Sequence, residues 1–160
     1  MNATVADAVQ RLTAAGARDE LLVDLVRPRW MGVRLAARLD AVERVWRLGV
    51  LLLGHGGALY ATGTTLRVSE PRHPNAQSQL AEERRELRAI ALKSGISGGE
   101  TINLDAVDIA LDALTPQTRP VARTVDGLFV RWSPTSDALA PFDSYIAERV
   151  ELLIHPPEGA

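Results

Sequence analysis

The chain has 160 residues, 46% hydrophobic and 24% charged, with a net charge of −2, a profile that fits one globular domain and excludes an intrinsically disordered chain. It holds no cysteine, which removes disulfide frameworks, thiolate zinc sites and thiol nucleophiles and fits a reducing, cytoplasmic location. The N-terminal residues have no basic stretch followed by an apolar one, and the apolar run Val50 to Leu53 is far too short to cross a bilayer, so neither export nor a membrane partner is expected.

In chain order, Val5, Val9 and Leu12 recur at helical spacing over residues 3–15, with Gly16 placed to end the helix. A second short helix is expected over Asp19 to Val26, stopped by Pro28. Leu35, Leu39 and Val42 stand at i, i+4 and i+7, which predicts a third helix over Val33 to Arg44. The almost continuously apolar stretch Val45 to Leu53 then reads as a central strand. Gly54-His55-Gly56-Gly57 supplies a tight reversal, and Ala58 to Val68, with Tyr60, Thr62, Thr64 and Thr65, reads as the returning strand of a hairpin.

Ser69 to Asn75, with Pro71 and Pro74, is an expected loop, and Asn75 an expected cap for a helix running to about Ser94 and ended by Gly95. Thr101 to Leu111 fits both periods, and its alternation of Val107, Ile109 and Leu111 favours strand. Val121 to Val125, Asp126-Gly127 and Leu128 to Trp132 predict a second hairpin. A last helix is expected over Pro141 to Ile154, with Phe142, Tyr145, Ile146, Val150 and Leu153 inward.

The expected fold is thus α+β over residues 1–160 as a single domain: a central, mainly antiparallel sheet of about five strands with helices packed on it, a helical N-terminal extension over 1–30 and a tail over 155–160. After the two N-terminal helices the element order is helix, strand, strand, helix, strand, strand, strand, helix. Over Val33 to Ile154 that order resembles profilin-like and roadblock domains, and the resemblance implies a dimerising or regulatory module.

Charge is unevenly placed: residues 1–26 carry −2, residues 27–99 carry +6 and residues 100–160 carry −6. Opposed charges of this kind are expected to neutralise one another within the fold or across a homodimer. The alternative is a nucleic-acid surface made by Arg27, Arg29, Trp30, Arg34, Arg38, Arg44, Arg47 and Trp46. Against it, Asp40 and Glu43 within that segment repel phosphates, and the apolar hairpin Val50 to Leu53 is unsuited to serve as a solvent-facing wing.

Three fragments match α/β-hydrolase motifs in chain order: Gly54-His55-Gly56-Gly57, Gly95-Ile96-Ser97-Gly98-Gly99, and Asp126 or Asp143 before His155. A nucleophile elbow needs a strand before its serine and a helix after it, whereas Ser97 is expected to have the reverse. No histidine pair has metal-ligand spacing, and Asp105, Asp108 and Asp112 lack the glycine and terminal glutamate of a calcium loop. No catalytic residue, metal or cofactor is assigned. The reading is a non-catalytic binding or protein-interaction module, homodimeric, with an exposed Trp30. The alternative is a small-ligand sensor or enzyme using Glu70, Arg72 and His73 on the 69–75 loop.

Overall fold

The computed structural model describes residues 2–69, 79–133 and 138–157. Helix α1 spans Ala3–Ala14, capped by the Asn2 side chain, which accepts from the amides of Thr4 and Val5 at 2.9 and 3.4 Å. At its other end the amides of Gly16 and Ala17 return to the carbonyls of Thr13 and Leu12, the paired bonds of a glycine-terminated helix, with Gly16 at φ +58°. Strands β1 (Glu20–Val26), β2 (Arg29–Trp30), β3 (Val33–Arg34), β4 (Arg38–Leu48), β5 (Leu51–Gly54), β6 (Leu59–Ala61) and β7 (Thr64–Arg67) follow. Helix α2 (Gln79–Lys93), strands β8 (Thr101–Leu104), β9 (Val107–Asp108), β10 (Val121–Thr124), β11 (Gly127–Arg131) and β12 (Leu139–Pro141), and helix α3 (Phe142–Ile154) complete the order.

The architecture is mixed α+β, with a seven-stranded sheet in the order β7-β8-β1-β4-β5-β6-β9, a three-stranded sheet β10-β11-β12 and a two-stranded ribbon β2-β3. The large sheet is mixed because β1 runs parallel to β8, whereas β4-β5, β5-β6, β6-β9 and β7-β8 are antiparallel.

Two compact units divide the chain, and β4 contributes to both. The first comprises Met1–Asp19, Arg44–Thr62 and Ala106–Ala160. Its core joins Val5, Ala8 and Leu12 of α1 to Trp46, Leu48, Leu51, Leu53 and Leu59 of the sheet, Val121 and Val130 of the small sheet, and Phe142, Tyr145, Ile146 and Val150 of α3. The second comprises Glu20–Glu43 and Gly63–Asp105, and its core gathers Val23, Leu39, Leu66, Val68, Ile90, Ala91, Ile102 and Leu104. Within it Asn103 is the one buried polar residue among those described. Its amide donates to Glu20 Oε2 at 2.8 Å and its carbonyl oxygen accepts from Thr65 Oγ1 at 3.3 Å, so the group is satisfied where an unpaired amide is costly.

The first unit turns on the two-residue connection between β4 and β5. Leu48 pairs with Leu51, leaving Gly49 and Val50 as the turn, with Gly49 at φ +67°, a left-handed conformation that favours glycine. The Tyr145 hydroxyl of α3 accepts from Val50 N–H at 3.0 Å and donates to the Leu48 carbonyl at 3.1 Å. A Cβ on residue 49 collides with that hydroxyl.

Several expected elements change. Asp19 to Val26 is strand β1, not a helix: a short Leu- and Val-rich run ended by Pro28 is covered by strands on both sides, and that burial outweighs helical spacing. The Val33 to Arg44 helix is replaced by β3 and the first half of β4; Leu39 is buried while Leu35 and Val42 are exposed, so the i, i+4, i+7 spacing marks no common face. The helical reading of residues 1–30 holds for α1 alone. Val45 to Leu53 is two strands folded at Gly49, and Ala58 to Val68 is cut at Thr62-Gly63, where a Cβ on Gly63 meets the backbone of Leu104 and Asp105. The expected sheet of about five mainly antiparallel strands gives way to the seven-stranded mixed sheet, and the element order behind the profilin-like and roadblock resemblance is not the observed one.

The first helix, the Gly54–Gly57 reversal, the Gly95 terminator at φ +82°, strand character in 101–111, the 121–132 hairpin and the last helix all stand as expected. Asn75 lies outside the described residues.

Replacing Tyr145 by Phe leaves a buried carbonyl and amide without their partner and is expected to cost about 1–3 kcal/mol. Gly49→Ala, which adds both left-handed strain and the collision, is expected to cost about 2 kcal/mol or more. Urea unfolding of the two variants checks both values.

Candidate functional site

The ribbon β2-β3 is exposed along both strands. Arg29 pairs with Arg34 and Trp30 with Val33, and the Leu35 amide extends the pairing to the Pro28 carbonyl at 2.9 Å. The two apex residues, Met31 and Gly32, have φ +48° and +80°, the pair of positive values that a tight two-residue hairpin with the proper twist requires. Gly32 adopts this freely, whereas a methionine there carries backbone strain.

Side chains alternate across a ribbon and directly opposed residues share a face. Trp30, Val33, Pro28 and Leu35 therefore lie on one face, and Arg29 with Arg34 on the other. Residues 29–36 are exposed without interruption, with Trp30 at 68%, Met31 at 83% and Val33 at 62%. Single exposed apolar residues are ordinary, but contiguous ones mark contact surfaces. The arginine face carries its own tension, because like charges directly opposite each other destabilise a ribbon.

Other arginines of the basic segment are occupied. Arg38 makes two bonds to the Asp40 carboxylate, at 2.8 and 3.1 Å; the hydrogen bond, then the charge of Asp40, raises its already high pKa. Arg44 reaches Asp19 at 3.4 Å. Among the described residues Arg27, Arg29 and Arg34 form no ion pair.

A second cluster lies in the first unit. The glycine exit of α1 brings Ala17 and Asp19 against β4 and the Gly54–Gly57 reversal. Trp46 donates its indole N–H to the Ala17 carbonyl at 3.1 Å, His55 stacks on the Trp46 ring at 4.0 Å between centroids, and His55 Nε2 stands 3.1 Å from Asp19 Oδ2. His55 at this turn is thus a half-exposed imidazole held by a carboxylate and an indole. A carboxylate–imidazole pair orients a base, but among the described residues no serine or threonine hydrogen-bonds to it, and the contacts fasten the turn to the exit of α1.

The same unit has an open cleft of about 350 Å³ lined by Val50, Ala61, Thr62, Arg119, Pro120, Arg131, Trp132 and Ser133, a size within the small-ligand range. Trp132 is half-exposed there, whereas Trp46 is buried in the core.

Glu70, Arg72 and His73 lie outside the described residues. Ser97 follows α2 in an exposed turn before β8, so the helix-then-strand context expected to bar a nucleophile elbow is the one present. Asp126 sits in the β10-β11 turn, and His155 caps α3 with Nε2 4.0 Å from Glu151. Among the described residues no group of three metal-ligating side chains converges. Among the described residues no helix is long and apolar enough to cross a membrane. No family model, curated protein or solved structure matches the chain.

Helical spacing hid the ribbon in the sequence. The available signal was local: Arg29-Trp30-Met31-Gly32-Val33-Arg34 is a near-palindrome of charge and hydrophobicity about a glycine.

Because Trp30 and Val33 pack against no core, the double substitution Trp30→Ser, Val33→Ser is expected to change stability by no more than about 0.5 kcal/mol. Trp46→Ala removes a core indole and is expected to cost about 3–5 kcal/mol. Urea denaturation followed by circular dichroism separates the two outcomes.

Proposed function

We propose that the chain is a non-catalytic binding module whose contact element is the ribbon Arg27–Arg38. The observation that carries this reading is an amphipathic hairpin exposing Trp30, Met31 and Val33 on a strained apex. A folded chain gains no stability from such residues in water, so their retention is explained by a surface that covers them. Trp and Arg are also the side chains most often responsible for binding energy. The homodimer expected from the charge asymmetry belongs to this reading as one candidate partner among several.

The test is a binding panel comprising the chain itself, single-stranded and duplex oligonucleotides, and lipid vesicles, each measured with wild type, Trp30→Ser/Val33→Ser and the off-site control Val125→Ser, a change at an exposed apolar residue. At least one surface is expected to bind wild type and the control and to lose at least tenfold in affinity with the ribbon variant. Binding that is indifferent to the ribbon variant removes the reading.

A second reading, a small-ligand sensor, is supported by the cleft lined by Arg119, Arg131 and Trp132. Its aromatic wall and guanidinium groups suit a planar anion. A thermal-shift screen of carboxylated and phosphorylated aromatic compounds is expected to raise the melting temperature of wild type and not of Trp132→Ala; equal shifts in both dissociate the ligand from this cleft.

A further inference from the structure

We propose that the ribbon docks the protein on the surface of a bilayer containing anionic lipids, with Trp30, Met31 and Val33 entering the headgroup boundary and Arg29 and Arg34 reaching lipid phosphates. The inference rests on the reading of the ribbon as the contact element and assigns the class of its partner.

The two faces of the ribbon choose between partners. A nucleic-acid strand stacked on Trp30 lies on the face away from Arg29 and Arg34, so it gains the aromatic contact or the phosphate contacts but not both, and it offers nothing to the side chain of Met31. A second copy packed face to face on Trp30 and Val33 leaves Arg29 and Arg34 of each ribbon on the faces turned away, so its contact uses the apolar side of the ribbon alone. A bilayer surface surrounds an inserted hairpin, so it contacts apex and both faces together.

Each residue type has a place there. Trp is favoured at the membrane–water interface because its ring is apolar and its N–H is polar. Methionine supplies a flexible, unbranched apolar apex, and its left-handed backbone at φ +48° places that side chain at the tip where asparagine or glycine fits with less strain. The arginines stand one residue back from Trp30 and Val33 on each strand, and their long stems allow the charged ends to remain among headgroups while the apex enters. An anionic leaflet also relieves the repulsion between Arg29 and Arg34. Such attachment is interfacial and needs no spanning helix, consistent with the lengths of α1, α2 and α3.

The experiment is co-sedimentation and tryptophan fluorescence of the full chain with phosphatidylcholine vesicles, with and without phosphatidylserine. Binding to the phosphatidylserine vesicles is expected, with a blue shift of emission that is lost in Trp30→Ser. Partitioning is expected to fall by at least tenfold in Trp30→Ser/Val33→Ser and by roughly tenfold to thirtyfold in Arg29→Gln/Arg34→Gln, and to be unchanged in Val125→Ser, a change at an exposed apolar residue away from ribbon and cleft, all four proteins melting as wild type. Equal binding to neutral and anionic vesicles, or no vesicle binding, overturns the proposal. If ribbon-dependent binding appears instead with an oligonucleotide or with a second copy, the lipid assignment falls while the contact role of the ribbon stands; if no surface distinguishes the ribbon variants, both fall together.

Discussion

The first unit depends on one hydroxyl. Tyr145 reaches from α3 into the β4-β5 turn and satisfies, with a single oxygen, both the carbonyl of Leu48 and the amide of Val50. Gly49 is exposed and Val50 half-buried, but Leu48 is fully buried, and its carbonyl left unpaired there costs as much as a good core contact. The arrangement explains the glycine at residue 49 twice over, by its left-handed φ and by the absence of room for a Cβ. From this turn the register of β4, β5 and β6 follows, and with it the placement of Trp46, whose indole receives His55 and, through Ala17, the exit of α1.

What the sequence revealed tracks how local the determining interaction is. The glycine-terminated helices, the Gly54–Gly57 reversal and the Asp126-Gly127 hairpin were all legible, because their signals lie within a few residues of the structure they dictate. β1 and the first half of β4 were read as helices because Leu, Val and Ala suit either state at the spacings present. Only neighbours distant in sequence decide the matter: β8 beside β1, and the Ser94 hydroxyl accepting the Leu39 amide at 2.9 Å. The apolar run 45–53 concealed its turn for a related reason, since the group that stabilises the turn at Gly49 is 96 residues further along.

The candidate site was legible as composition but not as shape. The arginines and Trp30 were recognised as an unusual cluster, yet assigning them to a helix gave them the wrong neighbours. On a ribbon, Arg29 faces Arg34 and Trp30 faces Val33, and the question changes from which groove a helix enters to what can touch both sides of a hairpin. The occupied arginines sharpen this: Arg38 with Asp40 and Arg44 with Asp19 are internal pairs, which leaves the outermost cations for an external anion. The cleft beside Trp132 and the stacked His55 are separate features with chemistry of their own.

The division of the chain into two cores also has a consequence for biosynthesis. The second unit uses nothing beyond residue 105, whereas the first gathers its core from α1 at residues 3–14 and α3 at residues 142–154. The Thr4 hydroxyl donates to Asp143, and Arg11 meets Glu151, so the apolar stripe of α1 has its principal cover only after the last helix leaves the ribosome. During synthesis Val5, Ala8 and Leu12 wait while more than a hundred residues are added. Before α3 is made every segment of the second unit has been synthesised, while α1 remains without its main partner.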